Sequence, residues 1–464
     1  MKQQTPLYIA MTILILYSLA FPQEKIYQNL SINDCIKIAK ENGKQKQIAE
    51  SKINVSKSQL KQAESGRWPS LELTSKAFMQ DEPQNFIFPS SNFVIPPIDF
   101  GMGPIQFPPI TVPSQDVKLL DNKSIISDLT LTYPIFTGGK VSSIIKQVEN
   151  SVLISQNNVA LAETEITLNV KKAYFAVILT DQLLQIGTDA FERFEATYNL
   201  TESLYQTGSG TVNKIDFLKN KMSLESFRGI VSELKSKNEV AKSALKYYLG
   251  VDLESNISLK DKTLEFEYVI PNATETLDNL LTTNLHLQNL NIASNIYEAK
   301  IDEAQSDYYP SFALFGNYHR LDNSYEYGFA TNENKNVFTL GLGLQLSLFN
   351  GFRTAGKVEE NEAELRGIQL QKVFVEESLK MKLKQLVTEL NKSEDKIVSS
   401  KEAMIAASEN RDLNLRAYQN EIGEVADFIE AQIMEAFMMA QYQLSLYERA
   451  DLKSQLESLL NKTN

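Results

Sequence analysis

Phe338-Thr-Leu-Gly-Leu-Gly-Leu-Gln-Leu-Ser-Leu-Phe349 decides how the chain is read. Phe338, Leu340, Leu342, Leu344, Leu346 and Leu348 fall on one face of an extended strand. Thr339, Gly341, Gly343, Gln345 and Ser347 fall on the other. Period two over about eleven residues is the length of a tilted strand that crosses a bilayer. A strand of a soluble sandwich alternates in the same way. Here six successive large residues face only small or polar ones, which favours lipid on the apolar side.

The pattern occurs earlier in weaker form. Leu129, Leu131, Tyr133 and Ile135 alternate with Asp128, Thr130 and Thr132, and Leu71 and Leu73 with Glu72, Thr74 and Lys76. The flanks repeat as well. Ala63-Glu-Ser-Gly-Arg-Trp-Pro-Ser-Leu71 returns as Ala304-Gln-Ser-Asp-Tyr-Tyr-Pro-Ser-Phe312. Leu129-Thr-Leu-Thr-Tyr-Pro-Ile-Phe136, before Thr-Gly-Gly-Lys, returns as Leu342-Gly-Leu-Gln-Leu-Ser-Leu-Phe349, before Asn-Gly-Phe-Arg. This is no short-period solenoid. It predicts two similar halves, residues 21–270 and 271–464, each built as helix, strand, loop, strand, long helix, tight turn and helix. About four strands cannot close a barrel, since the smallest have about eight. Open edges do not occur in lipid, so other copies of the chain must complete the sheet. Trp68, Tyr133, Phe136, Tyr308, Tyr309 and Phe349 stand at equivalent strand ends, where a membrane-interface belt belongs.

The 464 residues carry a formal net charge of −12 and a mean hydropathy of −0.25. The acidic balance argues against a nucleic-acid partner. The hydropathy excludes a bundle of membrane helices but says nothing against a barrel. Residues 1–20 read as a cleaved signal peptide, with Lys2, an apolar run from Ile9 to Leu19 and a small-x-small site at Ser18-Leu-Ala20. The run is shorter than the roughly 20 residues of a membrane anchor. Ser31 to Gly66 is predicted helical with a break near Gly43. The only cysteine, Cys35, has no disulfide partner within the chain and reads as a small buried residue behind a Ser31–Asp34 capping box.

Residues 80–121 carry eight of the fourteen prolines, with Phe86, Phe88, Phe93, Phe100 and Phe107 between them. That density predicts a long irregular loop. After Lys140, Val170, Val177, Leu184, Phe191, Tyr198 and Tyr205 repeat every seven residues, with Ile166, Ala173 and Phe194 at the other seam position. This is a coiled-coil pattern on a helix about 100 Å long. The second copy keeps register through Leu383, Leu390, Ile397, Met404 and Tyr418. It departs at Arg411, where the first copy has Tyr198. The helices end in Tyr205-Gln-Thr-Gly-Ser-Gly-Thr-Val212 and Tyr418-Gln-Asn-Glu-Ile-Gly-Glu-Val425. Their glycines suit helix reversal rather than a phosphate loop. Gly250 to Pro271 is predicted to be an irregular link between the halves.

His286 and His319 belong to different pattern elements, and no paired cysteines, His-Glu-x-x-His or Gly-x-Ser-x-Gly elbow accompanies them. The chain reads as a non-enzyme without metal or cofactor.

The chain resembles the TolC family of outer-membrane efflux proteins over almost its whole mature length. The likeness rests on Pro-Ser-Leu/Phe at Pro69 and Pro310 and the Phe-(Thr/Asn)-Gly turn at Phe136 and Phe349. Gly210 with Asp216-Phe-Leu218, and Gly423 with Asp427-Phe-Ile-Glu-Ala431-Gln, complete it in the same order twice. The resemblance implies a mixed fold, a membrane β-barrel joined to a long α-helical coiled-coil barrel. It implies a homotrimer to which each subunit gives four strands. The implied activity is that of a passive exit duct through outer membrane and periplasm, in a tripartite efflux or type I secretion system. The implied partners are a periplasmic adaptor and an inner-membrane pump of RND or ABC type. On this likeness Gly208, Gly210, Val212, Gly423 and Val425 form the adaptor-docking tip. Asp412 takes the place of an acidic residue lining the periplasmic entrance, with Glu409 and Arg411 as companions in a gate. The Pro-rich loop is longer than the family leads one to expect. The rival reading, a periplasmic structural coiled coil without a pore, leaves the alternating strands unexplained.

Overall fold

The structure, a computed structural model, describes residues 27–82, 85–118, 122–208, 212–265, 273–323, 335–420 and 422–461. The expected signal peptide and Gly210 lie outside these residues. In chain order the elements are β1 (Tyr27–Leu30), α1 (Ile32–Asn42), α2 (Lys44–Ser65), β2 (Ser70–Met79), β3 (Asn85–Phe88), β4 (Ser91–Phe93), β5 (Ile98–Asp99) and β6 (Pro104–Ile105). Then come β7 (Ile110–Val112), β8 (Gln115–Lys118), β9 (Lys123–Phe136), α3 (Lys140–Gln206), α4 (Lys214–Leu249) and β10 (Ile257–Leu259). Last are α5 (Ala273–Thr283), α6 (Leu285–Ser306), β11 (Ser311–Asn323), β12 (Asn336–Gln345), α7 (Arg353–Gln419) and α8 (Val425–Leu459). The chain forms two compact units.

One unit comprises Ser56–Val152 and Ala293–Gly367. Its centre is an antiparallel sheet in the order β12-β11-β9-β2. The register aligns the alternation of all four strands. Leu342 opposes Leu314, Leu314 opposes Tyr133, and Leu71 and Leu73 oppose Leu131 and Leu129. Leucines therefore share one face. Glu72, Thr130, Asn317 and Thr339 form a row on the other. The strand expected to run to Leu348 stops at Gln345. Its partner β11 begins opposite it at Ser311, and the preceding Pro310 has no N–H to extend the ladder. The β9–β11 register shifts between Phe312 and Ala313, beside Pro134. A bulge is where a sheet tolerates proline.

The expected irregular loop is instead a two-armed ribbon. β3 pairs with β8, β4 with β7 and β5 with β6, all antiparallel. Six of the prolines lie where both arms leave the ladder, Pro89 and Pro113 at one break and Pro96, Pro97, Pro108 and Pro109 at the next, while Pro104 sits inside the short β6 opposite Asp99. Paired interruptions cost no unmatched ladder bond, which is why so many prolines are compatible with strands. At the tip Asp99 Oδ1 accepts from the N–H groups of Gly101 (2.8 Å) and Gly103 (3.2 Å), whose φ values of +88° and +100° require glycine. Phe93, Phe100 and Met102 are exposed.

The other unit comprises the residues up to Val55, Leu153–Ile292 and Ile368–Asn464. The seam positions Ile166, Val170, Ala173 and Val177 of α3 are buried, as are Leu383, Leu390 and Ile397 of α7. Helix packing here follows the heptad read from sequence. The first helix breaks at Gly43, where a Cβ would stand 2.6 Å from the Ala39 carbonyl oxygen. The capping box closes at Ser31 and Asp34, and Cys35 is fully buried. Burial, with Asp34 and Asp261 nearby, pushes its thiol pKa up to about 12. The segment expected to be an irregular link contains β10, which pairs in parallel with β1. Leu259 and Leu264 drive this by entering the core. The buried Tyr174 holds the arrangement, its hydroxyl 2.8 Å from Asp261 Oδ2 and 3.2 Å from the Leu30 carbonyl oxygen.

Candidate functional site at the helix tips and strand ends

The two helix reversals come together. A groove of about 570 Å³ is lined by Leu200, Leu204 and Val212 from the first and by Tyr418, Gly423 and Val425 from the second. Each turn is clamped by a stacked aromatic pair, Tyr205 on Phe217 (5.2 Å between centroids) and Tyr418 on Phe428 (5.8 Å). Gly208 takes φ +68° with open space around it, so its glycine is needed for backbone conformation. At Gly423 the need is steric: a Cβ would stand 3.0 Å from Ala417 Cβ. Val212 and Val425 are buried and hold the turns together. Ile215 and Ile422 present exposed apolar surface beside them.

Arg411, the break in the heptad, reaches Glu435 of α8, with Nη2 2.8 Å from Oε1. Its Nη1 lies 3.0 Å from Asp412 Oδ1. Arg193 of α3 approaches Glu435 from another helix, Nη2 to Oε2 at 3.2 Å. Glu435 is 0% exposed, so one buried carboxylate is held by two guanidinium groups from two helices. Glu409 is exposed and Asp412 half exposed. Around the triad the polar layer is incompletely bonded. Gln432 Nε2 donates to Thr197 Oγ1 (3.3 Å) and Asn220 Nδ2 to Thr201 Oγ1 (2.9 Å). Gln432 Oε1, Asn220 Oδ1 and the Nε atoms of both arginines have no partner. Partly satisfied buried networks are costly and therefore easily rearranged. Sequence reasoning found Arg411 and missed Glu435, Arg193 and Gln432, since one glutamate among many on long helices carries no distinguishing pattern.

The expected interface aromatics gather at one end of the sheet. Trp68 precedes β2, Phe136 ends β9, Tyr308 and Tyr309 precede β11 and Phe349 follows β12. Tyr133 lies on the leucine face three residues before the end of β9. Trp68, Tyr308, Tyr309 and Phe349 are all more than half exposed. Phe352 joins them, its ring 5.6 Å from that of Phe349. Its φ of +64° is left-handed, a conformation the first copy gives to Gly139. Alignment of Thr-Gly-Gly-Lys with Asn-Gly-Phe-Arg was the available clue. Beneath this end Asp307 lies 3.2 Å from Lys140 and 3.3 Å from Lys357, joining the starts of both long helices. Partial burial raises its carboxyl pKa, and the two lysines override this and hold it low.

Among the described residues no helix is long and apolar enough to cross a membrane, and no group of acidic, histidine or cysteine side chains could hold a metal.

An apolar-faced sheet, two helices of 67 residues each and paired reversals define the class of an outer-membrane duct. The family model for the outer membrane efflux protein matches residues 35–251 and 276–462, and the chain belongs to that family. It is an efflux protein of the outer membrane. Among solved structures it is similar to the outer membrane protein VceC from Vibrio cholerae, at 15% identity, TM-score 0.72, over 93% of this chain and 96% of that one. It is likewise similar to the Campylobacter jejuni CmeC outer membrane channel, at 14% identity, TM-score 0.75, over 93% and 86%. The open state of the Neisseria gonorrhoeae MtrE outer membrane channel matches at 14% identity, TM-score 0.71, over 93% and 88%. No curated protein matches the sequence significantly.

Proposed function

We propose that three copies of the chain close one twelve-stranded barrel and act as the passive exit duct of a tripartite efflux or type I secretion system. The observation that carries this is the sheet itself: leucines fill one face, and the outer edges of β2 and β12 have no partner strand among the described residues. Such edges are untenable in lipid until another copy pairs with them. The residue range after the signal peptide then divides into the two repeats, 21–270 and 271–464. The exposed aromatics serve as the membrane-interface belt. The paired tips dock a periplasmic adaptor, which links the duct to an inner-membrane pump of RND or ABC type. Glu409, Arg411 and Asp412 form the periplasmic gate, with Glu435 as the buried counter-charge of Arg411.

Mass measurement of the detergent-extracted protein, followed by single-channel recording in planar bilayers, tests the assembly. A trimer mass with discrete conductance steps is expected. A membrane-inserted monomer, or an outer-membrane trimer that never conducts, overturns the reading.

A further inference from the structure

A second charged pair lies in the sheet, apart from the gate. His319 Nδ1 is 2.8 Å from Asp128 Oδ1, at registered positions of β11 and β9. Both side chains are about a third exposed on the face opposite the leucines, at 36% and 35%. On that face Asn317 also donates to Thr130 Oγ1 at 3.0 Å. The remaining charges there are Glu72 and Lys76 of β2. β12 contributes Val337 and Thr339 beside His319 and no titratable group. Arg320 and Asp322 alternate to the leucine face, where they pair with each other, and Lys335 pairs with Asp322.

Among the described residues the polar face thus carries one net negative charge per chain when the imidazole is neutral and none when it is protonated. Histidine is the side-chain type whose charge changes between about pH 5 and 8. This step rests on the barrel reading above. If leucines meet lipid, the polar face is the wall of the duct, and three copies set three such pairs in one ring. Carboxylate rings in a pore favour cations.

We propose that Asp128 and His319 set the charge selectivity of the duct where it crosses the membrane, with external pH as the control. With the imidazole neutral the ring favours cationic over anionic cargo. With it protonated the imidazolium cancels the carboxylate and the preference fades.

The test is the reversal potential of reconstituted channels under a potassium chloride gradient, with pH varied on the external side only. Wild type should lose cation preference roughly two-fold or more between pH 8 and pH 5, as expected when a pore charge is neutralised. His319→Gln should keep the high preference at both values. Asp128→Asn should show no cation preference at pH 8 and should turn toward anions at pH 5, because His319 still gains its proton there without a carboxylate to cancel it. A response that survives in His319→Gln, or is missing in wild type, overturns the proposal. A separate arm fixes the geometry. In intact trimers Asn317→Cys should react with a charged, membrane-impermeant thiol reagent, while Leu342→Cys should not. Labelling of Leu342→Cys alone would place the wrong face in the duct. Wild-type trimers without any conductance would count against the efflux duct itself, a result distinguishable from unaltered selectivity.

Discussion

Arg411 shows what a single residue can disclose. A charge at a coiled-coil seam is unstable unless paired, so the sequence required a partner without naming it. The structure supplies Glu435, 24 residues on, with Arg193 at its other oxygen. Arg411→Ala leaves the buried carboxylate with Arg193 alone, which costs less than the roughly 3–5 kcal/mol of a wholly unpaired buried charge. The denaturant midpoint of the purified protein should fall accordingly, and Arg411→Ala combined with Glu435→Gln should recover most of the loss. A double variant no more stable than the single one would show that Glu435 is not the counter-charge. Phe352 presents the opposite case, a residue held against its backbone preference. Left-handed φ costs a non-glycine residue roughly 1 kcal/mol or more. Phe352→Gly should raise the melting temperature in detergent yet lower the amount recovered in the outer membrane. Phe352→Ala should lose on both counts, since it keeps the strain and drops the ring. Equal behaviour of the two variants would remove strain from the account.

At the scale of elements, the long helices were legible because their seven-residue repeat is a direct record of packing. Their reversals were legible as glycine-bearing breaks, but the different needs of Gly208 and Gly423 were not. One requires a left-handed backbone and the other lacks room for a side chain. Gly208→Val and Gly423→Val should therefore both reshape the tip while leaving sheet and trimer intact. Dye efflux from cells should drop severalfold in each. Full efflux in both variants would remove the tip from adaptor docking. The Pro-rich segment was misjudged for a physical reason. Proline density argues against a continuous ladder, and local counting cannot see that two arms interrupt their ladders at matched places. The strand ending at Gln345 rather than Leu348 is a similar case, since its limit is imposed by Pro310 on the neighbouring strand.

At the scale of the whole molecule, the free edge of β2 is where assembly should be vulnerable. Thr74→Pro and Ser75→Pro each delete one N–H, and along a strand successive N–H groups point to opposite edges. One of the two should abolish the membrane-inserted trimer while far-ultraviolet circular dichroism still reports the helices. Undiminished trimer in both variants would mean that β2 does not pair with another copy. Period-two and period-seven patterns, repeated twice, were enough to specify strands, long helices and reversals, while the likeness to the family rested on the short motifs at their junctions. These are periodic consequences of burial, and burial leaves its trace along the chain itself. Which carboxylate meets Arg411, how His319 finds Asp128 and how the prolines share a ribbon were decided only in three dimensions. Each depends on two segments distant in sequence meeting at a particular register, and no local pattern encodes that register.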